Sequence, residues 1–271
     1  MSAHSKLAKI EEIVSEQTSV PPASQPVPRV VLVTGGTGGI GTAICKRLAR
    51  LGHIVATTYR NAEKARLWES EMNKEGFAFH LYQCDVADFE DSQRMVKSVV
   101  AELGPIQILV NNAGVTRDSS LRKMTHEQWK TVISSDLDSV FNVTRPAIDY
   151  MLESGFGRII NISSINGQKG QFGQSNYAAA KAGMHGFTIS LAQENARFGI
   201  TVNTVSPGYV GTDMVMAVPE EVRAKIVAQI PVGRLGKPEE IAHAVNFFLG
   251  EEAAWITGAN LAINGGHYMG W

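Results

Sequence analysis

Three side chains stand out for what their types and spacing could do together: Ser164, then Tyr177 with twelve residues between, then Lys181 one helical turn further on. Positions i and i+4 of a helix share a face, which sets the lysine ammonium beside the tyrosine phenol. A free tyrosine titrates near pH ~10. A fixed positive charge next to it favours the phenolate and moves its pKa toward the operating pH, where the hydroxyl can give or take a proton. Ser164 follows the strand-like run Arg158 to Ile162, so its hydroxyl can bond a substrate carbonyl as negative charge develops on the oxygen. The adjacent Ser163 reads as a residue that caps or bonds only local backbone. By itself a tyrosine–lysine pair one turn apart is an ordinary surface feature.

A second motif gives that pair meaning. Val30 to Val33 reads as a buried strand and runs into Thr34-Gly-Gly-Thr-Gly-Gly-Ile-Gly41, followed by the helical Ala43, Ile44 and Leu48. Gly35, Gly38, Gly39, Ile40 and Gly41 allow a sharp turn and the close approach of a pyrophosphate to free N–H groups at a helix start. The next strand ends Thr58-Tyr59-Arg60-Asn61. Tyr59 stands where an acid would bond a ribose 2′-hydroxyl, and Arg60 offers a planar, permanent cation to a 2′-phosphate. The expected cofactor is NADPH/NADP.

The elements that must position these residues are legible as alternation. Strands are expected at Val30–Thr34, Ile54–Thr58, Phe77–Cys84, Ile106–Val110, Gly157–Ile162, Thr201–Val205 and Asn260–Ile263, with helices near 39–51, 62–74, 89–103, 125–152, 175–198 and 238–249. Strict strand/helix alternation implies an α/β, single-domain, doubly wound Rossmann fold: a seven-stranded parallel sheet with helices on both faces. Ligands of such folds bind beyond the carboxyl ends of the strands, where all of the motifs above fall. The domain is expected over 30–271. Residues 1–29 are read as a flexible extension, with Leu7, Ile10, Ile13 and Val14 on one side of a short helical pattern and then Pro21, Pro22, Pro26 and Pro28; a docking helix is the alternative. Between Met214 and Pro231, a short helix bracketed by Pro219 and Pro231 is expected to act as a lid.

With 25 basic and 26 acidic side chains, no global field draws the chain to nucleic acid or to an anionic membrane. Two cysteines are too few for a disulfide framework, and the histidines show no metal-ligand spacing. No apolar run reaches membrane-spanning length. The expectation is a cytoplasmic protein without a metal.

From Val30 to the C-terminus the chain resembles the classical short-chain dehydrogenase/reductase family. The resemblance rests on the glycine motif, Cys84-Asp85-Val86, Asn111-Asn112-Ala113-Gly114, the Ser164, Tyr177 and Lys181 set, and Ser206-Pro207-Gly208. It implies that Asp85 and Val86 meet adenine, that Asn111, Ala113 and Gly114 flank the adenosine ribose and support the sheet, and that Pro207, Gly208, Val210 and Thr212 receive the nicotinamide. Lys181 would also hold the nicotinamide ribose, and a homotetramer is common in the family.

Three further stretches, Gly114-Val-Thr-Arg-Asp118 with Lys123-Met124, Asn166 to Gln174, and Asn264 to Gly270, are similar to the family branch that reduces acetoacetyl-CoA to (R)-3-hydroxybutyryl-CoA with NADPH for polyhydroxyalkanoate synthesis. That similarity implies an acyl-CoA site lined by Asp118, Lys123, Gln171, Phe172, Gln174 and Tyr209. The residue types agree: Gln171 and Gln174 offer amide donors, and Phe172 and Tyr209 offer apolar walls. One alternative is a reductase of 3-oxoacyl groups on acyl-carrier protein, for which Arg117, Arg122 and Lys123 serve equally. Another, of a different class, is a non-catalytic NADP-sensing protein.

One position departs from the family. Asp136 stands where its members usually carry an asparagine that supports a water beside the catalytic lysine, largely through its main-chain carbonyl. A carboxylate there is expected to lower activity or to change its pH profile.

Overall fold

A computed structural model describes residues 27–270. The readings made for residues 1–26 lie outside them. The elements are β1 (Val30–Val33), α1 (Gly39–Arg50), β2 (Ile54–Tyr59), α2 (Ala62–Lys74), β3 (His80–Gln83), α3 (Phe89–Leu103), β4 (Ile106–Asn111), α4 (His126–Ile133), a π turn (Ser134–Asp138), α5 (Ser139–Ser154), β5 (Gly157–Ile162), α6 (Asn166–Lys169), α7 (Ser175–Asn195), β6 (Ile200–Pro207), α8 (Asp213–Met216), α9 (Glu220–Val227), α10 (Pro238–Phe247) and β7 (Asn260–Ile263). All seven strands are parallel, in the order β3-β2-β1-β4-β5-β6-β7.

The apolar strands are continuous because each face of the sheet is covered, and successive residues feed different cores. Val31, Val33, Ile108 and Ile160 pack with Ile44 and Leu48 of α1 and Ile241 and Val245 of α10. Val30, Leu32, Ile106 and Ile159 pack on the opposite face with Val96 and Val99 of α3 and Val143 and Met151 of α5. Strand order reverses between β1 and β4, and the crevice that opens there lies above the carboxyl ends of the strands.

Several ends differ from the sequence reading by one to three residues, and two elements depart in a way that has a physical reason. The strand expected from Phe77 starts only at His80; Phe77 and Phe79 stack on each other at 5.8 Å, and Phe79 stacks on Trp68 of α2 at 5.2 Å. Their apolarity comes from covering a helix rather than from strand pairing. The single helix expected over 125–152 is interrupted by the π turn, which adds a residue to one turn while the apolar spacing continues on both sides. Cys45 and Cys84 are buried free thiols, and burial pushes the Cys84 thiol up to about 11. Among the described residues no helix is long and apolar enough to cross a membrane.

Candidate active site

The glycine loop between β1 and α1 is held by side chains that the motif itself does not contain. Thr58 Oγ1 accepts the N–H of Gly35 at 3.0 Å, and Thr57 Oγ1 accepts that of Gly36 at 2.9 Å. The Asn112 amide donates to the carbonyls of Thr34 and Gly35 at 3.0 and 3.1 Å. At Gly41 a Cβ would come within 2.5 Å of the Gly35 carbonyl oxygen, so the helix can start this close to the turn only with glycine there. The loop is thereby fixed with its outer edge open to a cavity of about 560 Å³.

That cavity gathers most of the residues singled out from the sequence. Gly35, Gly38, Gly39, Ile40, Gly41, Tyr59, Arg60, Asp85, Val86, Ala113 and Gly114 line one part of it. Ser164, Tyr177, Lys181, Asp136, Gln174, Pro207, Gly208, Tyr209, Val210 and Thr212 line the rest. A dinucleotide fits this donor set: backbone N–H groups and a helix start at the loop, an exposed Arg60 at one end, and a lysine and a tyrosine at the other. Asn111 is not in the lining. Its amide turns into the protein and donates to Thr144 Oγ1 at 3.0 Å and to Asn161 Oδ1 at 2.8 Å, leaving Asn112 as the asparagine that supports the loop.

Lys181 is buried, and its ammonium donates to the carbonyl of Ile162 at 3.1 Å and lies 5.5 Å from the centre of the Tyr177 ring. The spacing argument for a shared face therefore holds in three dimensions. Its electrostatic half needs correction. Burial is the largest influence on the Tyr177 hydroxyl and pushes its pKa above the ordinary tyrosine value; the Lys181 ammonium and the Ser164 hydroxyl pull it down, while Asp136 and Asp118 add to the rise. The lysine moderates an upward shift rather than producing a downward one.

Ser164 Oγ accepts the N–H of Asn166 at 3.1 Å at the end of β5. The neighbouring Ser163 does more than bond local backbone: its hydroxyl donates to the carbonyl of Lys181 at 2.8 Å and meets His185 Nε2 at 3.3 Å. It fastens β5 to the helix that carries Tyr177, a partnership eighteen residues away in sequence that periodicity cannot reveal.

On the side expected to take substrate, Tyr209 lines the cavity and stacks on His267 with ring centroids 5.7 Å apart. Gln174 also lines it, but its amide is engaged: Nε2 donates to Asp118 Oδ2 at 2.8 Å, and Oε1 accepts from Asn166 Nδ2 at 2.8 Å. It acts as a clasp between two loops instead of offering a free donor. Asp118, Lys123, Gln171 and Phe172 are exposed and lie outside the cavity lining, Phe172 with 90 % of its surface open. Asn176 completes the fastening, its buried amide donating to the carbonyls of Arg117 and Gln128 at 3.1 and 3.2 Å. Asn166 and Asn176 were not among the residues picked from the sequence; the signal available was an asparagine just inside each end of the segment leading to Tyr177.

A parallel sheet wound in this order, with a glycine loop at the reversal and a tyrosine–lysine pair across the crevice, defines a nicotinamide-dependent oxidoreductase of the Rossmann class. The short chain dehydrogenase family model matches residues 29–223, and the chain belongs to that family. It is 54 % identical over 243 residues, 89 % of this chain and 99 % of the relative, to an acetoacetyl-CoA reductase of Allochromatium vinosum. It is 52 % identical, with the same coverage, to an acetoacetyl-CoA reductase of Cupriavidus necator. A 3-oxoacyl-[acyl-carrier-protein] reductase of Vibrio cholerae is 44 % identical over 89 % of this chain and 98 % of its own.

Proposed function

We propose that this chain reduces the 3-keto group of acetoacetyl-CoA, or of a similarly short 3-ketoacyl-CoA, to (R)-3-hydroxybutyryl-CoA with NADPH, in the service of polyhydroxyalkanoate synthesis. The observation that carries the reading is one continuous cavity running from the glycine loop and Arg60 to Tyr177, Lys181 and Ser164. The acetoacetyl-CoA reductases of two bacteria, each more than half identical over nearly the whole of their length, support the substrate. A bound reduced nicotinamide supplies the hydride.

The protein's residues supply the rest. Arg60 pairs with the 2′-phosphate, and Lys181 holds the nicotinamide ribose and sets its charge against the phenol. Ser164 bonds the substrate carbonyl as charge builds on its oxygen, and Tyr177 delivers the proton to that oxygen. Tyr209 and the loops joined through Gln174 shape the acyl side, while Asp118, Lys123, Gln171 and Phe172 at the rim meet the longer arm of the thioester. The segment around α9 closes over the substrate. Residues 30–271 form the catalytic domain behind a separate N-terminal extension, and the enzyme works in the cytoplasm as a homotetramer.

Initial rates with acetoacetyl-CoA and with an acetoacetyl-acyl-carrier protein, each under NADPH and NADH, test the reading. The expected result is higher kcat/KM for the CoA thioester with NADPH. The Vibrio cholerae relative supports the acyl-carrier alternative, which the exposed Arg117, Arg122 and Lys123 serve equally, and a preference for that substrate would establish it. Preference for NADH would remove Arg60 from its role. Cofactor binding without turnover of any 3-ketoacyl thioester would leave a sensing protein.

A further inference from the structure

Asp136 lies in the π turn with no exposed surface. One carboxylate oxygen, Oδ1, accepts the N–H of Val115 at 2.8 Å. The other, Oδ2, is 3.3 Å from Lys181 Nζ, an ion pair without an aligned hydrogen bond. The pair borders the cavity: a Cβ on Gly114 would come within 2.7 Å of that oxygen and 3.3 Å of the ammonium. The cation beside Tyr177 thus already has a buried partner. The groups whose charge acts on the phenol are Lys181 on its own helix, 5.5 Å from the ring centre, Asp136 on the π turn and, from the exposed loop after β4, Asp118, with the neutral Ser164 hydroxyl after β5. Two carboxylates and one ammonium leave the phenolate little compensation.

We propose that Asp136 is a positioning residue which, as the buried counter-ion of Lys181, keeps the Tyr177 hydroxyl protonated and so extends ketone reduction to higher pH while delaying the onset of alcohol oxidation. The inference rests on Tyr177 being the proton donor. In reduction the Tyr177 O–H bond breaks as an O–H bond forms on the carbonyl oxygen, hydride from the reduced nicotinamide forms the new C–H bond, and the phenolate regains a proton from solvent. Oxidation makes and breaks the same bonds in reverse and must begin from the phenolate. A negative charge near the phenol disfavours its ionised form, so both pH limbs move up together and the overall equilibrium is untouched. Burial pushes the Tyr177 and Asp136 groups upward as well, with Lys181 opposing in each case.

Asp136→Asn is the decisive variant, because it keeps the shape and an oxygen for Val115 while removing the charge. With full-length enzyme and saturating cofactor, kcat/KM is measured across pH for acetoacetyl-CoA reduction and for 3-hydroxybutyryl-CoA oxidation. The alkaline limb of reduction and the acid limb of oxidation should both move to lower pH by on the order of one unit. A role in packing alone would lower rates at every pH and leave the limbs in place, and that result would overturn the proposal. Asp136→Ser carries the same expectation should the asparagine variant fold poorly. Tyr177→Phe, assayed alongside, separates the two readings: retained reduction would remove the tyrosine from proton delivery, whereas lost reduction with unmoved limbs in Asp136→Asn removes only the aspartate. Tyrosinate absorbance of the native enzyme minus that of Tyr177→Phe, followed with and without the Asp136 substitution, reads the same shift without turnover.

Discussion

At the scale of single residues, the chemistry proposed for the site rests on one proton and one clasp. Tyr177→Phe keeps the ring and loses only the hydroxyl, so ketone reduction should fall by about two to four orders of magnitude while NADPH fluorescence on binding is retained. Gln174→Leu removes both bonds that join Asp118 to Asn166. Its expected effect is a severalfold rise in KM for acetoacetyl-CoA with KM for NADPH unchanged, seen in steady-state kinetics; equal effects on both would place the clasp elsewhere in function. The tyrosine and lysine were legible in sequence because one helical turn joins them. Gln174 read as a free donor because residue type reports capacity and not occupancy. Its two partners sit 8 and 56 residues away.

At the scale of elements, local signals foretold most boundaries. The Asn61 and Asp88 side chains cap α2 and α3 by accepting the N–H of Lys64 and of Asp91, and both helices begin where expected. The π turn escaped because nothing in apolar spacing marks one extra residue, yet that turn is what seats Asp136 against Lys181. At the start of α10, the paired nitrogens of Arg234 hold both Glu240 oxygens at 2.7 and 2.8 Å, and the Lys237 N–H adds a third bond, bringing the Glu240 carboxyl from 4.5 to about 2. A depressed carboxylate stabilises the fold above its unfolded pKa, and that contribution fades as pH falls toward the folded value. The Tm gap between the native protein and Glu240→Gln should accordingly be small and constant near neutrality, since the pair is half exposed, and should narrow as pH drops from about 5 to about 3. A gap that widened on acidification would reverse the assignment.

At the scale of the whole molecule, a buried polar chain ties the layers together. Asn111 reaches Thr144 of α5 and Asn161 of β5; Asn161 reaches Thr188 of α7; Thr188 accepts from Thr204 of β6. Asn161→Leu fills similar space but leaves the buried Asn111 amide with Thr144 as its one remaining acceptor and removes a donor from Thr188. It should cost roughly 2–3 kcal/mol, read as a lower denaturant midpoint at unchanged m-value. Seven parallel strands with two covered faces could be read from alternation alone. This network could not, because Asn111, Asn161 and Thr188 are polar residues in stretches where only apolar ones announce burial.

Strand order carries a further consequence, in time rather than in space. β1 pairs with β2 on one side and with β4 on the other, and the loops after these three strands supply the glycine-loop end of the cavity, from Gly35 to Thr116. Ser164, Tyr177 and Lys181 come from the later half of the chain. On the ribosome, the glycine-loop end of the cavity is encoded before the tyrosine and lysine that face it have been translated. Its closing pair, Val30 with Ile106, joins residues 76 apart in the chain, so a folding experiment should find the slow step in the β1–β4 pairing, ahead of docking of the reactive half.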